Sequence, residues 1–197
     1  MVYSDARVDD AEDVGWGDPQ SRLITWRDPL TTQAAAASMS GLSYWRAVSG
    51  GRLPPPPIGE LVQMRVTEVR SGRVTFTCTP DGSMYNPLGT VHGGTLCTLL
   101  DTVTGCALHT TLAVGLGYTS VEIKVNYLKA VTVASGPLTA VGTVVKAGAR
   151  IGFTEATATD ASGALVATAS STLLIFELPS RASQYNGNSK NEGTGTP

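Results

Sequence analysis

The residues of this chain best suited to chemistry lie in one stretch, Asn86-Pro87-Leu88-Gly89-Thr90-Val91-His92-Gly93-Gly94, followed by an apolar segment carrying Asp101. His92-Gly93-Gly94 stands where loop residues give way to a helical pattern. Asp101 comes nine residues after the histidine, among Leu99, Leu100, Thr102 and Val103. A helix start leaves backbone N–H groups without intrahelical partners and carries the positive end of the macrodipole. Glycine there lets a substrate approach the backbone, so a developing oxyanion can be held. A carboxylate among apolar residues is costly unless it is paired or its shifted pKa is put to use. Donors and an acid together imply acyl chemistry, with the Gly93 N–H as oxyanion donor, Gly94 beside it, and Asp101 as general base or nucleophile. The plainer alternative is a glycine pair that shapes a turn and an aspartate bonded to structure through Thr102 or Thr104.

Helpers surround this pair. His92 orients the substrate or holds the loop through Asn86, and no Cys/His/Asp cluster accompanies it to form a metal site. Asn86 offers its amide to a carbonyl oxygen or to a water, although Asn-Pro is also a common turn former. His109 near the far end of the helix suits a partner for the C-terminal dipole. Distance then constrains the site. Asp101 lies eight residues beyond Gly93, about 12 Å along a helix at 1.5 Å per residue. A carbonyl and its attacking oxygen are only about 3–3.5 Å apart. One helix therefore cannot serve one substrate with both groups. A second copy of the helix, antiparallel beside the first, would supply the missing acid, which predicts a homodimer with two equivalent shared sites.

The elements that must position these residues follow from periodicity. Residues 31–48 pair an alanine run with Met39, Leu42, Tyr44, Trp45 and Val48, an amphipathic helix opened by Asp28-Pro29 and closed by Gly50-Gly51. Pro54 to Pro57 reads as a stiff, non-helical connector. Residues 61–69 and 74–78 alternate around Ser71-Gly72 as a hairpin, and 79–89 is a loop rich in Pro, Gly, Asp and Asn. The central helix covers about residues 92–113, with Leu96, Leu100, Val103, Ala107 and Leu108 on one stripe. Four further strands, 119–128, 136–146, 151–160 and 164–176, are separated by short Gly-, Ala- and Ser-containing turns. Short turns imply antiparallel pairing, so the fold class is α+β, a sheet wrapped around one long helix. Residues 1–27 read as a disordered arm, 28–57 as an N-terminal helix with its connector, 58–178 as the domain, and 179–197 as a disordered tail.

Composition narrows the function. The chain of 197 residues has 16 acidic and 14 basic residues, a formal charge of -2 and no basic cluster, which argues against nucleic acid as a partner. Apolar stretches are interrupted well short of the roughly 20 residues a membrane span needs, and no apolar leader is visible, so a cytoplasmic protein without a membrane partner is expected. Cys78, Cys97 and Cys106 are odd in number and lack metal-ligand spacing; they read as small core residues in a reducing compartment.

From about Leu53 to Phe176 the chain resembles the hotdog-fold acyl-CoA thioesterases of the phenylacetate-degradation (PaaI) type. The resemblance rests on Asn86…His92-Gly93-Gly94…Asp101-Thr102, on Thr119-Ser120-Val121-Glu122-Ile123-Lys124-Val125-Asn126-Tyr127-Leu128, and on Gly148-Ala149-Arg150-Ile151…Glu155-Ala156 leading into Asp160-Ala161-Ser162-Gly163. It implies hydrolysis of acyl-CoA by a dimer, often a tetramer, with the acyl group in an apolar slot between subunits. It also places Ser120 near the acid or the attacking water, with Thr119 as the neighbour to consider. The stretch Asn126, Tyr127, Lys129 and the turn Gly148–Arg150 are implied to lie along the coenzyme. Lys129, Lys146 and Arg150 are the cations available for its phosphates. No cofactor is expected, because coenzyme A is part of the substrate. Two other readings share the fold: a hydratase or dehydratase of acyl thioesters, and a non-catalytic acyl-CoA-binding module.

Overall fold

The computed structural model describes Gly15 and residues 17–178. The expected arm lies outside the described residues at positions 1–14 and 16, as does the tail at 179–197. Asp28 caps the first helix, α1 (Pro29–Ala37), by accepting from the Leu30 N–H. The single helix expected over 31–48 is instead two. The chain leaves helical geometry around Ser38–Ser40, and Ser40 caps α2 (Gly41–Ser49) by accepting from the Ser43 N–H. Serine offers the backbone this local alternative to a continuous helix. α2 buries Tyr44, Trp45, Ala47 and Val48. The proline connector is also shorter than expected. Pro57 opens the short helix α3 (Pro57–Leu61), since proline is tolerated where no intrahelical N–H bond is needed.

Six strands form one antiparallel sheet: β1 (Met64–Arg70), β2 (Arg73–Cys78), β3 (Leu116–Tyr127), β4 (Leu138–Ala147), β5 (Ile151–Thr159) and β6 (Leu165–Glu177). Their spatial order is β1-β2-β4-β5-β6-β3, which leaves the twelve-residue β3 at one edge. Between β2 and β3 the chain makes the long helix α4 (Gly93–His109), which lies across the sheet. It ends four residues before the expected position 113, with Thr110 as its C-cap.

Burial explains the layering. Leu99, Leu100, Val103 and Ala107 of α4 are fully buried in one cluster with Val74, Leu138, Ala140 and Ala158 of the sheet, and Leu108 is buried in a second with Leu173 and Ile175 of β6. Burying a leucine or valine side chain is worth about 1.5–3 kcal/mol, so this face fixes the seat of α4. The approach is close at Gly142 on β4, where a Cβ would stand 2.1 Å from the Val103 carbonyl oxygen. Only glycine lets the helix backbone rest there. The opposite face of α4, carrying Gly94, Cys97, Thr98, Asp101 and Thr102, stays partly or fully open.

Candidate active site

The start of α4 is fastened by four hydrogen bonds. The His92 N–H donates to the Met84 carbonyl at 2.8 Å, and the His92 carbonyl accepts from the Thr95 N–H at 2.9 Å. His92 is also the N-cap, its Nδ1 accepting from the Gly94 N–H at 2.8 Å. The Tyr127 hydroxyl on β3 donates to the Gly93 carbonyl at 3.0 Å. The Gly93–Gly94 peptide group is thus gripped at its N–H and at its C=O. The Gly94 N–H is already spent on His92, whereas the Gly93 N–H has no acceptor among the described residues. A Cβ on Gly93 would meet the Tyr127 ring at 3.1 Å, so this glycine also gives the tyrosine room to reach it.

Asn86 closes the loop before the helix. Its Oδ1 accepts from the N–H groups of Leu88 and Thr90, and its Nδ2 donates to Thr90 Oγ1 at 2.9 Å. Asn86, Gly93, Leu96, Tyr127, Lys129 and Val131 line one cavity of about 350 Å³ beside the helix start.

Asp101 stands two turns further on, half-buried, and its Oδ1 accepts from Ser120 Oγ at 2.7 Å. Strand alternation puts Ser120 toward α4 and Thr119 on the opposite face of the sheet. Cys97, one turn before Asp101, has its thiol pKa raised by burial and then by the Asp101 charge. Behind them Cys106 and Tyr118 share a hydrogen bond, and burial pushes both pKa values well up. These two therefore act as neutral packing groups. His109 is neutral as well, because burial lowers its pKa to about 4, and its Nδ1 accepts from Trp45 Nε1 at 3.0 Å. A neutral ring cannot be the charged dipole partner that its position at the end of the helix suggests; it fastens α2 to α4 instead.

The remaining positions fall at two ends of the sheet. Near the helix start, Asn126 Nδ2 donates to Thr168 Oγ1 at 3.2 Å. Lys129 Nζ pairs with the buried Asp160 carboxylate at 2.7 Å, a partner 31 residues away that local sequence does not announce. The Lys129 ammonium and the Ser162 hydroxyl hold the Asp160 carboxyl far below the usual carboxylate range. At the other end, Lys146, Gly148 and Arg150 lie exposed around the β4–β5 turn, where the Arg150 carbonyl accepts from the Ile175 N–H. Ser120 and Tyr127 lie seven residues apart along β3, about 23 Å at 3.3 Å per residue. Among the described residues no three His, Cys, Asp or Glu side chains form a metal-binding group, and no helix is long and apolar enough to cross a membrane.

Residues 88–167 match the model of the thioesterase superfamily. The PaaI protein of the E. coli phenylacetic acid degradation operon is 20% identical, with a TM-score of 0.60 over 72% of this chain and 97% of that one. A thioesterase from Haemophilus influenzae is 22% identical, with a TM-score of 0.58 over 63% of this chain and 85% of that one. A hypothetical thioesterase from Streptococcus pneumoniae, solved with coenzyme A, is 28% identical, with a TM-score of 0.54 over 59% and 88%. No curated protein matches the chain. The helix-wrapping antiparallel sheet is the fold these structures share, and the superfamily match runs from the loop before His92 through Asp101 to β6. The chain has the hotdog fold of these structures, and residues 88–167 of it match the thioesterase superfamily.

Proposed function

We propose that the chain hydrolyses acyl-CoA thioesters to the free acid and coenzyme A at two equivalent sites shared across a homodimer. One observation carries the reading. A free, rigidly held Gly93 N–H and a Ser120-held Asp101 carboxylate lie on the same open side of α4, too far apart to serve one substrate. Antiparallel pairing of two β3 edges about a dyad between positions 123 and 124 resolves this. It sets Ser120, with its Asp101, across from the partner's Tyr127 and Gly93. The same dyad brings the partner's β4–β5 turn, with Lys146, Gly148 and Arg150, toward Asn126 and Lys129, so cations from both ends of the sheet serve one coenzyme.

In this site the thioester carbonyl oxygen takes the Gly93 N–H, aided by the positive end of α4. Asp101 uses Oδ2, since Ser120 occupies Oδ1. As a base it removes a proton from water while the water oxygen bonds to the carbonyl carbon. The C–S bond then breaks, and the coenzyme A thiolate takes up a proton. As a nucleophile, Asp101 bonds to the carbonyl carbon itself, coenzyme A leaves, and water cleaves the resulting anhydride. His92 and Asn86 hold the oxyanion side in shape.

A thiol-release assay over phenylacetyl-, hydroxybenzoyl- and medium-chain acyl-CoA tests the reading, with Asp101→Asn in parallel. Wild type is expected to turn over at least one class, and Asp101→Asn to lose about 10²–10⁴-fold in kcat, with circular dichroism unchanged. Near-full activity in a folded Asp101→Asn protein defeats the mechanism. Loss of enoyl absorbance from crotonyl-CoA without free thiol would make the protein a hydratase. Binding without turnover in wild type would make it a binding module.

A further inference from the structure

Outside the site one carboxylate ties together parts of the chain that are distant in sequence. Asp81, just after β2, accepts four hydrogen bonds: from Arg22 Nη1 at 2.9 Å, from Gln63 Nε2 at 2.7 Å, and from the Ser83 N–H and Oγ. The Ser83 hydroxyl first, then its N–H and the Arg22 guanidinium, hold the Asp81 carboxyl below its ordinary pKa. Arg22 also donates to the Leu61 carbonyl at 2.7 Å, so the segment before α1 is strapped across the end of α3.

Two unusual features accompany this knot. Gln63 has φ of 52°, the one positive φ among the described non-glycine residues, a conformation disfavoured for a residue with a Cβ. Arg22 Nε is buried with no hydrogen-bond partner among the described residues, an arrangement native proteins seldom keep. The knot in turn anchors the loop that starts α4. Asp81 fixes the 3₁₀ turn Gly82–Met84 through Ser83, the Met84 carbonyl holds the His92 N–H, and Tyr85 bridges Val91.

We propose that Arg22 is a positioning residue for thioester hydrolysis: by pinning Asp81 it holds the 82–92 loop, and through that loop the direction of the Gly93 N–H. The proposal rests on the thioesterase reading for its catalytic consequence, but the strap itself can be measured without turnover. The full-length variants Arg22→Met, Asp81→Asn and their double, with Arg22→Lys, are compared for kcat, KM and amide hydrogen exchange over residues 82–94. Each single variant is expected to lose about 5- to 20-fold in kcat with KM within about twofold. The double should be no worse than the poorer single, because both changes cut the same bond. Arg22→Lys, which keeps the charge but not the fork to Leu61, should fall between. Exchange over 82–94 should quicken about tenfold in Arg22→Met. A purely structural Arg22 would lower the melting temperature and leave kcat alone. Unchanged kcat, or unchanged exchange over 82–94, overturns the proposal. If wild type hydrolyses no acyl-CoA, the thioesterase reading is what fails, and the exchange result alone decides the strap.

Discussion

The Gly93–Gly94 peptide group is held from both sides, by the His92 imidazole at its N–H and by the Tyr127 hydroxyl at its C=O, so the adjoining Gly93 N–H points in one direction. Tyr127→Phe removes one of these two holds and nothing else. A neutral hydrogen bond is worth about 1 kcal/mol net, which corresponds to a loss of about fivefold in kcat. Steady-state kinetics should show that loss with little change in KM; a larger effect on KM would assign Tyr127 to substrate binding instead. Residue types and spacing put His92, Gly93 and Asp101 in one candidate group, and the family resemblance added Ser120. What they could not show was which bonds are already taken. His92 caps through Gly94, and Asn86 bonds to Thr90 two residues short of His92. Lys129 meets Asp160 because β3 and β6 run side by side, a neighbourhood no local window contains.

Among the elements, the junction of α2 with the end of α4 carries the clearest dependence on pH. His109 titrates near pH 6.5 when unfolded and at about 4 in the fold, because burial opposes its charge. Its contribution to stability is therefore complete above about pH 6.5. It falls as the unfolded chain takes up a proton that the native state refuses, and it levels off below about pH 4. Urea unfolding at pH 7, 5.5 and 4.5 should show wild type losing this increment while His109→Gln does not; parallel curves for the two proteins would reject the assignment. The strands were legible from alternation and turn chemistry within a few residues, because a half-buried sheet forces a period of two. The helix breaks were less so. Ser38–Ser40 interrupts what periodicity presents as one helix, and Leu61 belongs to α3 although it alternates with the strand after it. In both places a cap or a proline outweighs the apolar pattern.

For the whole molecule, the shared-site arrangement has a simple arithmetic check. If the Gly93 of one subunit meets the Asp101 of the other, the two-fold axis crosses α4 at position 97, midway between them. Cys97 is partly exposed on the open face of that helix, whereas Cys78 and Cys106 are buried. A short bis-maleimide, applied above neutral pH because the Cys97 thiol pKa is raised, should join two chains through Cys97 alone. Cys97→Ser should abolish the product. A dimer by size that resists this cross-link would place the axis elsewhere. Sequence spacing led to the proposal of a second subunit; it carried no information on which strand lies at the edge, since that depends on the order in which β4, β5 and β6 fill the sheet.

That edge has a consequence for handling the protein. β3 is long, its outer backbone groups are unpaired among the described residues, and Val121, Tyr127 and Leu128 on and just beyond it are each more than half exposed. Such a strand adds readily to any other open strand, correct or not. On the proposed dimer, a newly made subunit faces a race between finding its own copy and being captured into an aggregate. Substitutions meant to liberate a soluble monomer should yield inclusion bodies instead, and the yield of active protein on refolding should pass through a maximum with concentration, too slow to pair when dilute and lost to mispairing when dense.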